Sequence, residues 1–593
     1  DSVFVKGTVT ATDGGFCVKD VENKKYIINV SVVGYYEYHG VIDTGREACI
    51  IMKEKKEELK GIVIKAKHPS AQITNEGLIM PISGSFLEKL GTAEDIIKQI
   101  PGVMKNQNGY EVFGKGHPRF YIDEKRVTDL SELNRIASED IKSVEVLYNP
   151  GAKYNATAMS IILIHTKHNR IDGLAIDASS SYHQSENTDL EERLTWNYYK
   201  KDMNVYGKYE YSLNNLKYNS MTNTTIDSDT LWQQDIKQNS KTASQRFKII
   251  TGLNCFFCSR HSLGAEYELT LSPIGKTEAF LKSDIMANGT PYDKVFNTVS
   301  TTNKNHPAHR MDIYYAGEWN KTSVNLDVAY LFNRNRGESL YNEESSYTSD
   351  RMVHSSESVR NSLFATKLLV QNKIFGGTLS IGAECTNTYR NNLYNNKEGY
   401  VSSSYSEIKE SNVAPFSEFS HKLPWGMFVA GIRYEHIVFD YSEEKFRNTK
   451  MTKYYDNFFP SFSATIQIGD ASFRLGYTMK TNRPTYRQLS ANVAYINRFL
   501  LQSGNSMLKN EMTNNVFLGC KWKSFNITVD YNETRDAIFF WVEPEDCNTS
   551  VSRITYTNIP KLKVLTTSFM TSHRINIWTS QLMIAANKQW LWL

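Results

Sequence analysis

The sequence predicts a mainly β protein: a large antiparallel transmembrane β-barrel with an internal α+β plug and a small β-domain ahead of it. Three observations predict this. From Gly173 onward, strands come in pairs with period-two patterning. Tight turns alternate with long polar connections. A compact segment with helix and strand signals sits immediately before the first pair.

Residues 1–58 read as the small β-domain. "VFVKGTVT", "GGFCVKDV" and "YIINVSVVGYY" are short β-branched runs, separated by turn signals at Asp13-Gly14-Gly15 and Asn23-Lys24. The charged run Lys53–Lys60 reads as a solvated linker, and the linker region is taken as 59–83. Within it, "GIVIKAK" places Ile62, Val63, Ile64, Lys65 and Ala66 in a short extended segment. Such a segment offers free backbone groups to the edge of a partner's sheet. As plain structure it is a last strand or more linker.

Residues 84–170 read as the plug. Thr92 and Asp95 have capping-box spacing; Ile96, Ile97 and Ile100 form an apolar face; Pro101-Gly102 ends the helix. "RFYIDEKRV" is a strand, a turn at Asp123-Glu124 and a return, and "LSELNRI" suggests another short helix. "SVEVLY", the turn "NPGAKYNA" and "SIILIHT" complete the unit.

Residues 171–593 read as the barrel. "LTWNYYK" turns at Lys201-Asp202 into "NVYGKYEYSL", and "LFATKLLVQNKIF" turns at Gly376-Gly377 into "TLSIGAECTNTY". In "VNLDVAYLF", Val324, Leu326, Val328, Tyr330 and Phe332 share one face, with Asn325, Asp327 and Ala329 on the other. The alternate connections, such as residues 214–244 and 333–358, are rich in Asn, Ser and Thr and are expected to be long loops on one side. About sixteen or seventeen strands are legible, and a barrel of that size leaves a lumen that a plug fills.

The bulk numbers fit a strand-crossing membrane protein. Net charge is +4, from 68 basic and 64 acidic residues, which gives no nucleic-acid signal. Mean hydropathy is −0.46, and no apolar run is long enough for a membrane helix. Yet Tyr, Phe and Trp number 35, 28 and 9, the profile of aromatic girdles around a polar lumen. The seven cysteines are scattered and odd in number, and the pair Cys255 and Cys258 falls where one strand turns into the next, so neither a disulfide framework nor a metal site is expected. The HExxH, GxSxG and P-loop patterns do not occur, so an enzyme is not expected, and no cofactor is. His117 and Arg119 could face a ligand but read better as a satisfied plug-surface pair. Trp232 and Tyr341 could stack on sugars or be packing residues of the loops, and Glu343-Glu344 could hold cations or nothing.

Several motifs carry a family resemblance. "KLGTAEDIIKQIPGV", "VFGKGHPRFYID", "SEDIKSVEVLYNPGAKYNAT" and "IILIHTK" resemble the plug of TonB-dependent receptors of Bacteroidetes-type bacteria. "TNRPTYRQLS" and "SGNSMLKNE" resemble two motifs of their outer membrane β-barrel domain, with Ser506 and Asn510 standing where the family's GNPxLKPE carries Pro. "GTVTATDGGFCVKD" through "VSVVGYY" is similar to the later part of a carboxypeptidase-regulatory-like domain. That implies an Ig-like β-sandwich, incomplete at its start. "GIVIKAK" sits where the family carries its TonB box. The resemblance implies a bacterial outer-membrane importer with the N-terminal domain and plug base facing the periplasm. It implies pairing of Ile62–Ala66 with a TonB-type energy-transducing protein, and contact with the lipid bilayer and lipopolysaccharide. A surface lipoprotein or subunits of an outer-membrane complex are further candidate partners. The alternative is a plugged barrel serving as a structural subunit of an outer-membrane assembly or secretion complex. About five further strands would reach the family's usual count, so the barrel is expected to be truncated at the C-terminus or small.

Overall fold

The computed structural model describes residues 4–32, 35–44, 47–54, 72–73, 77–106, 109–113, 115–123, 125–127, 130, 133, 136–167, 172–227, 230–258, 260–444, 450–490, 492–545, 548–575 and 578–592. The chain divides into two compact units, Asp1–Ala66 and Lys67–Leu593.

In the first unit, β1 (Lys25–Val30) pairs antiparallel with β2 (Tyr38–Asp43), Ile27 opposite Val41. The expected sandwich at 1–58 is reduced to this pair among the described residues. The runs around Val5 and Cys17 form no strand. Two strands cannot cover an apolar face, and Ile27 and Val41 stay about two-thirds exposed, at 67% and 66%.

The second unit contains a globular α+β core and the wall around it. The core begins with β3 (Gln72–Ile73) and β4 (Gly77–Pro81). The helix α1 (Ala93–Ile97) starts at the predicted capping box. Thr92 Oγ1 accepts from the Asp95 N–H, and Asp95 Oδ2 accepts from the Thr92 N–H. Beyond α1, Gly102 takes φ +80°, a left-handed conformation that ends the turn. Then come β5 (Val103–Asn106), β6 (Gly109–Val112), β7 (Arg119–Ile122), β8 (Lys125–Arg126), β9 (Ile141–Leu147) and β10 (Ile161–Thr166). The main sheet runs β3-β4-β9-β10-β7-β8, with β10 parallel to β7. Its apolar face packs on α1: Ile96, Ile97, Ile141, Val144, Val146, Ile162 and Ile164 are fully enclosed. The expected helix at "LSELNRI" falls largely outside the described residues.

The wall runs from β11 (Gly173–Gln184), β12 (Thr188–Lys200), β13 (Met203–Asp227) and β14 (Leu231–Cys258) through β15 (His261–Leu271), β16 (Gly275–Ala287), β17 (Thr290–Asn305) and β18 (Ala308–Trp319). It continues with β19 (Thr322–Ser345), β20 (Arg351–Ile374), β21 (Gly377–Asn396), β22 (Ser404–Leu423), β23 (Gly426–Glu444), β24 (Lys450–Ile468) and β25 (Ala471–Asn482). An insertion follows, carrying α2 (Tyr486–Leu489), β26 (Val493–Asn497) and β27 (Leu500–Ser503). The last wall strands are β28 (Glu511–Trp522), β29 (Phe525–Glu545), β30 (Asn548–Ile575) and β31 (Trp578–Trp592). Consecutive wall strands pair antiparallel, except β15 with β16 and β17 with β18, and β25 pairs with β28 across the insertion.

Two wall strands are each split by a proline. β15 and β16 together pair the two halves of β14, interrupted at Pro273; β17 and β18 together pair β19, interrupted at Pro307. Proline lacks the N–H that a continuous ladder needs. Of the 21 strands in this sheet, two pairs therefore fuse and two belong to the insertion, leaving seventeen wall strands among the described residues. β11 and β31 are the two edges of this sheet, with no further pairing among those residues.

No described helix is long and apolar enough to cross a membrane; the strands carry the membrane-facing surface instead. Leu326, Leu368, Ile381, Ile432, Leu475 and Leu518 face outward in the half nearer the short turns. Trp319, Phe375, Trp425, Trp522 and Trp578 sit exposed beside those turns, and Tyr330, Phe364 and Phe458 border the band above. An apolar belt between two aromatic rings is the outer face of a bilayer-spanning barrel.

The predicted long loops are a correction. Residues 214–227 and 231–244 are strand, paired without a break from Asn214↔Ser244 to Asp227↔Leu231. Residues 333–343 and 351–361 likewise pair from Asn333↔Asn361 to Glu343↔Arg351. Where both faces of a hairpin meet water or a polar lumen, alternation of apolar residues vanishes while Thr-rich backbone still pairs. Polar composition here marks paired hairpin strands, not loops.

Because the inner core has its own buried cluster, Ile96→Ala should cost about 2–5 kcal/mol within that core alone. Hydrogen exchange by mass spectrometry should show faster exchange in β9 and β10 with β19–β23 unchanged. Equal loosening of the wall would contradict a separate core.

Candidate functional site

The inner core meets the wall through the turn Asn149–Thr157, between β9 and β10. Backbone at Gly476 and Gly431 allows this approach. A Cβ on Gly476 would lie 2.7 Å from Asn149 Nδ2, and one on Gly431 would lie 2.8 Å from the Ala152 Cβ. Around these contacts the partners are polar and charged. The Lys480 ammonium donates to the Pro150 carbonyl at 2.7 Å, and the Thr481 N–H to the Ala156 carbonyl at 3.1 Å. Asn155 donates to Glu384 at 3.2 Å, Lys153 lies 3.6 Å from Glu418, and Lys115 pairs with Asp530 at 2.5 Å. Burial pulls the Lys115 ammonium below its usual range, and the Asp530 carboxylate opposes that shift. Tyr148 stacks flat on Phe517, centroids 6.1 Å apart, and burial pushes its hydroxyl up to about 12.

Behind this interface, the wall's lumenal charges are chained. Arg433 bridges Glu384 at 3.0 Å and Glu435 at 2.7 Å. Arg483 reaches Glu435 and lies 3.7 Å from Glu410. Buried ion pairs roughly balance their desolvation cost, so they fix register more than they stabilise. The apolar contacts that fold the core lie within the core. What joins core to wall is chiefly hydrogen bonds and ion pairs, which water can replace.

On the side away from the short turns, residues 483–510 fold inward as an inserted strap. Its two feet are the two motifs singled out in the sequence. In "TNRPTYRQLS", Thr485 and Gln488 form a capping box for α2. In "SGNSMLKNE", the Gly504 N–H donates to the Ser490 carbonyl at 2.9 Å and the Asn505 N–H to the Gln488 carbonyl at 2.6 Å. A Cβ on Gly504 would lie 2.4 Å from two carbonyl oxygens, so only glycine closes this neck. β26 pairs with β27, and β27 pairs parallel with β30. Tyr495 and Val493 pack against Val353 and Tyr394, Leu489 and Leu508 against Ile408, Phe439 and Tyr441. At the strap's tip, Phe499 joins Trp232, Ile285 and Val295.

A buried carboxylate latches the strap. Glu343, fully enclosed, accepts from Tyr495 Oη at 2.8 Å, the Arg498 N–H at 3.2 Å, Arg498 Nε at 3.2 Å and Asn297 Nδ2 at 3.2 Å. Arg498 also donates to the Ser349 carbonyl at 3.0 Å. Between strap and wall lies a cavity of about 510 Å³, lined by Asn303, Arg336, Glu357, Arg390, Asn392 and Arg487 among others.

Ile62, Val63, Ile64, Lys65 and Ala66 lie outside the described residues. His117 is held by the Tyr110 carbonyl at 2.9 Å and Arg119 by Thr157 Oγ1 at 2.7 Å, both within the core. Trp232 and Tyr341 are packing residues under the strap. Glu343 is the latch rather than part of an exposed acidic patch. Cys255 and Cys258 pair across the β14–β15 turn with Leu263 and His261. Sequence reasoning missed Glu384, Arg433, Lys480 and Arg498. Their only signal is a charge at an inward position of a strand, which reads the same as a solvated lumen residue.

Residues 318–589 match the model of the outer membrane protein beta-barrel family. The matched stretch holds most of the wall and the whole strap. No curated protein matches the chain. Among solved structures, the copper transporter OprC superposes with a TM-score of 0.58 at 10% identity, over 88% of this chain and 81% of that one. A variant of the ferric enterobactin receptor from Pseudomonas aeruginosa, in complex with enterobactin, gives 0.52 at 14%, over 87% and 81%. The ferric yersiniabactin uptake receptor FyuA from Yersinia pestis gives 0.51 at 12%, over 88% and 79%. At these identities the likeness is one of fold: a strand-built wall around an inner core.

Arg498→Ala leaves the Glu343 carboxylate buried without its cation, a loss of about 3–5 kcal/mol of local stability. Limited proteolysis should then cut within residues 486–508 while wall strands stay protected. Adding Glu343→Gln, which removes the second charge, should restore much of the protection. An uncut strap in Arg498→Ala would show that the latch does not hold it.

Proposed function

We propose that this protein is an outer-membrane TonB-dependent receptor that imports a ligand through its plugged barrel. One observation carries the reading: a folded α+β core sits against the lumenal wall with its own apolar cluster, joined to that wall chiefly by hydrogen bonds and ion pairs. A permanent seal would be cemented by apolar burial, which each Å² of contact makes harder to reverse. A polar joint exchanges partners with water, so the core can shift or open in part at low cost and re-seat.

The energy comes from outside the barrel. A TonB-type protein in the periplasm adds a strand to Ile62–Ala66 and pulls on the chain that enters the core at β3 and β4. Those strands lie at the edge of the core sheet, next to β9, which leads directly into the Asn149–Thr157 turn. A pull on β4 therefore reaches the polar joint through one strand pairing. The N-terminal unit and the core base face the periplasm; the strap and its cavity face outward. No covalent chemistry is needed. The likeness of fold to a copper transporter and to two siderophore receptors supports transport but leaves the ligand open.

Deleting residues 62–66 should abolish copurification of a TonB-type protein from native outer membranes and abolish energised uptake. The heat-modifiable gel mobility of the barrel should be unchanged. Copurification of an assembly or secretion machine that survives the deletion would instead make the plug a fixed seal on a scaffold.

A further inference from the structure

The cavity under the strap has a chemical character that names a class of ligand. Its lining carries three guanidinium groups, Arg336, Arg390 and Arg487, against one carboxylate, Glu357. Arg390 is engaged, donating to Asn361 at 2.8 Å. The other two are held weakly: Arg336 lies 3.7 Å from Glu338, and Arg487 donates to Gln502 at 3.4 Å. Two cations are thus free to take a stronger partner than the one they have.

The neutral groups add a second requirement. Asn392 is 5% exposed; its Nδ2 donates to Glu357 at 2.9 Å, while its Oδ1 has no hydrogen-bond partner. Asn492, on the strap side of the same cavity, has an Nδ2 without a partner. An enclosed amide left half-satisfied costs free energy until something pairs it. The wall supplies an unpaired acceptor and the strap an unpaired donor, both on one cavity. Hydroxyl groups satisfy both at once, since each donates and accepts. Tyr394 and Tyr556 also line the cavity.

We propose that this cavity binds a hydroxylated organic anion of about disaccharide size, such as an acidic sugar, with Arg336 and Arg487 taking its carboxylates and Asn392 and Asn492 its hydroxyls. A volume of about 510 Å³ suits such a ligand, within the usual range for small-molecule sites. Planar guanidinium groups match carboxylate oxygens in pairs, which ammonium groups do not. Because Arg487 on α2 and Asn492 just before β26 belong to the strap, and Arg336 and Asn392 to the wall, the ligand touches strap and wall together. Binding then tightens the strap over the cavity.

This inference deepens the import reading and rests on it for its direction of transport, yet its test needs no energised membrane. The full chain, purified in detergent, is titrated with digalacturonate and with the neutral disaccharide galactobiose by isothermal calorimetry. Digalacturonate should bind and galactobiose should not. The double variant Arg336→Gln with Arg487→Gln should weaken binding by about tenfold or more, the loss expected for charge-assisted contacts. Asn392→Ala should weaken it by a smaller factor without changing its salt dependence. Failure of digalacturonate to bind, equal binding of galactobiose, or an unaltered affinity in the double arginine variant would overturn the assignment. Binding as expected, but uptake of labelled digalacturonate that ignores deletion of residues 62–66, would leave the site standing and sink the import reading.

Discussion

A peptide group in hydrocarbon has no water to pair with, and that constraint shapes the rest of this molecule. Each unpaired N–H or C=O there costs several kcal/mol, so the wall must be a continuous ladder. The ladder from β11 to β31 follows, and so does the place of its exceptions. Pro273 and Pro307 interrupt it at Ser272–Ile274 and His306–Ala308, between the half nearer the short turns and the far hairpins. The insertion at 483–510 leaves the ladder only at the far end, and β25 pairs directly with β28 as though the strap were absent.

A wall of this size cannot fill its own lumen with side chains. The inner core does so, but it cannot do it as an extension of the wall's packing. Many inward positions of the wall are charged or amide side chains, such as Lys248, Asn412, Glu418 and Arg433, because the same alternation that gives lipid its apolar face leaves the other face largely polar. The core therefore folds on its own isoleucines and valines and meets the wall through Asn149–Thr157, Lys115 and a chain of ion pairs. The chemistry of the joint is a consequence of the period-two pattern. A joint made that way holds register without being irreversible, which is the physical property a gated passage requires.

Much of this was legible. The capping box at Thr92, the isoleucine face, the β9–β10 pair and the tight turns at Lys201 and Gly376 are all local signals, and local signals survive in one sequence. Residues 214–244 and 333–358 pair as hairpins yet carry no apolar period, because a strand with water or polar lumen on both faces has none to show. Strands are expected from the β-branched residues of Val3–Thr10 and Gly14–Val21, but among the described residues neither run forms one: propensity without a second apolar face to bury does not make a sheet. The latch was invisible for a different reason. Glu343 and Arg498 lie far apart in the chain, and each looks like an ordinary polar residue of an extended segment. Only tertiary structure turns them into one buried site. The motifs at Thr481–Ser490 and Ser503–Glu511 were visible as motifs; that they clamp one neck, with Gly504 at the crossing, was not.

On the import reading, the core moves against the wall when the membrane is energised. Ala152→Cys, in a chain with its other cysteines replaced, puts a thiol at the contact with Gly431, where the side chain is enclosed. Labelling with a membrane-impermeant maleimide is then followed in living cells with and without a protonophore. Labelling is expected in energised cells and should be lost with the protonophore, and lost again when residues 62–66 are deleted. A thiol that stays protected under all three conditions, in a chain whose core is shown by hydrogen exchange to be folded, would contradict the import reading.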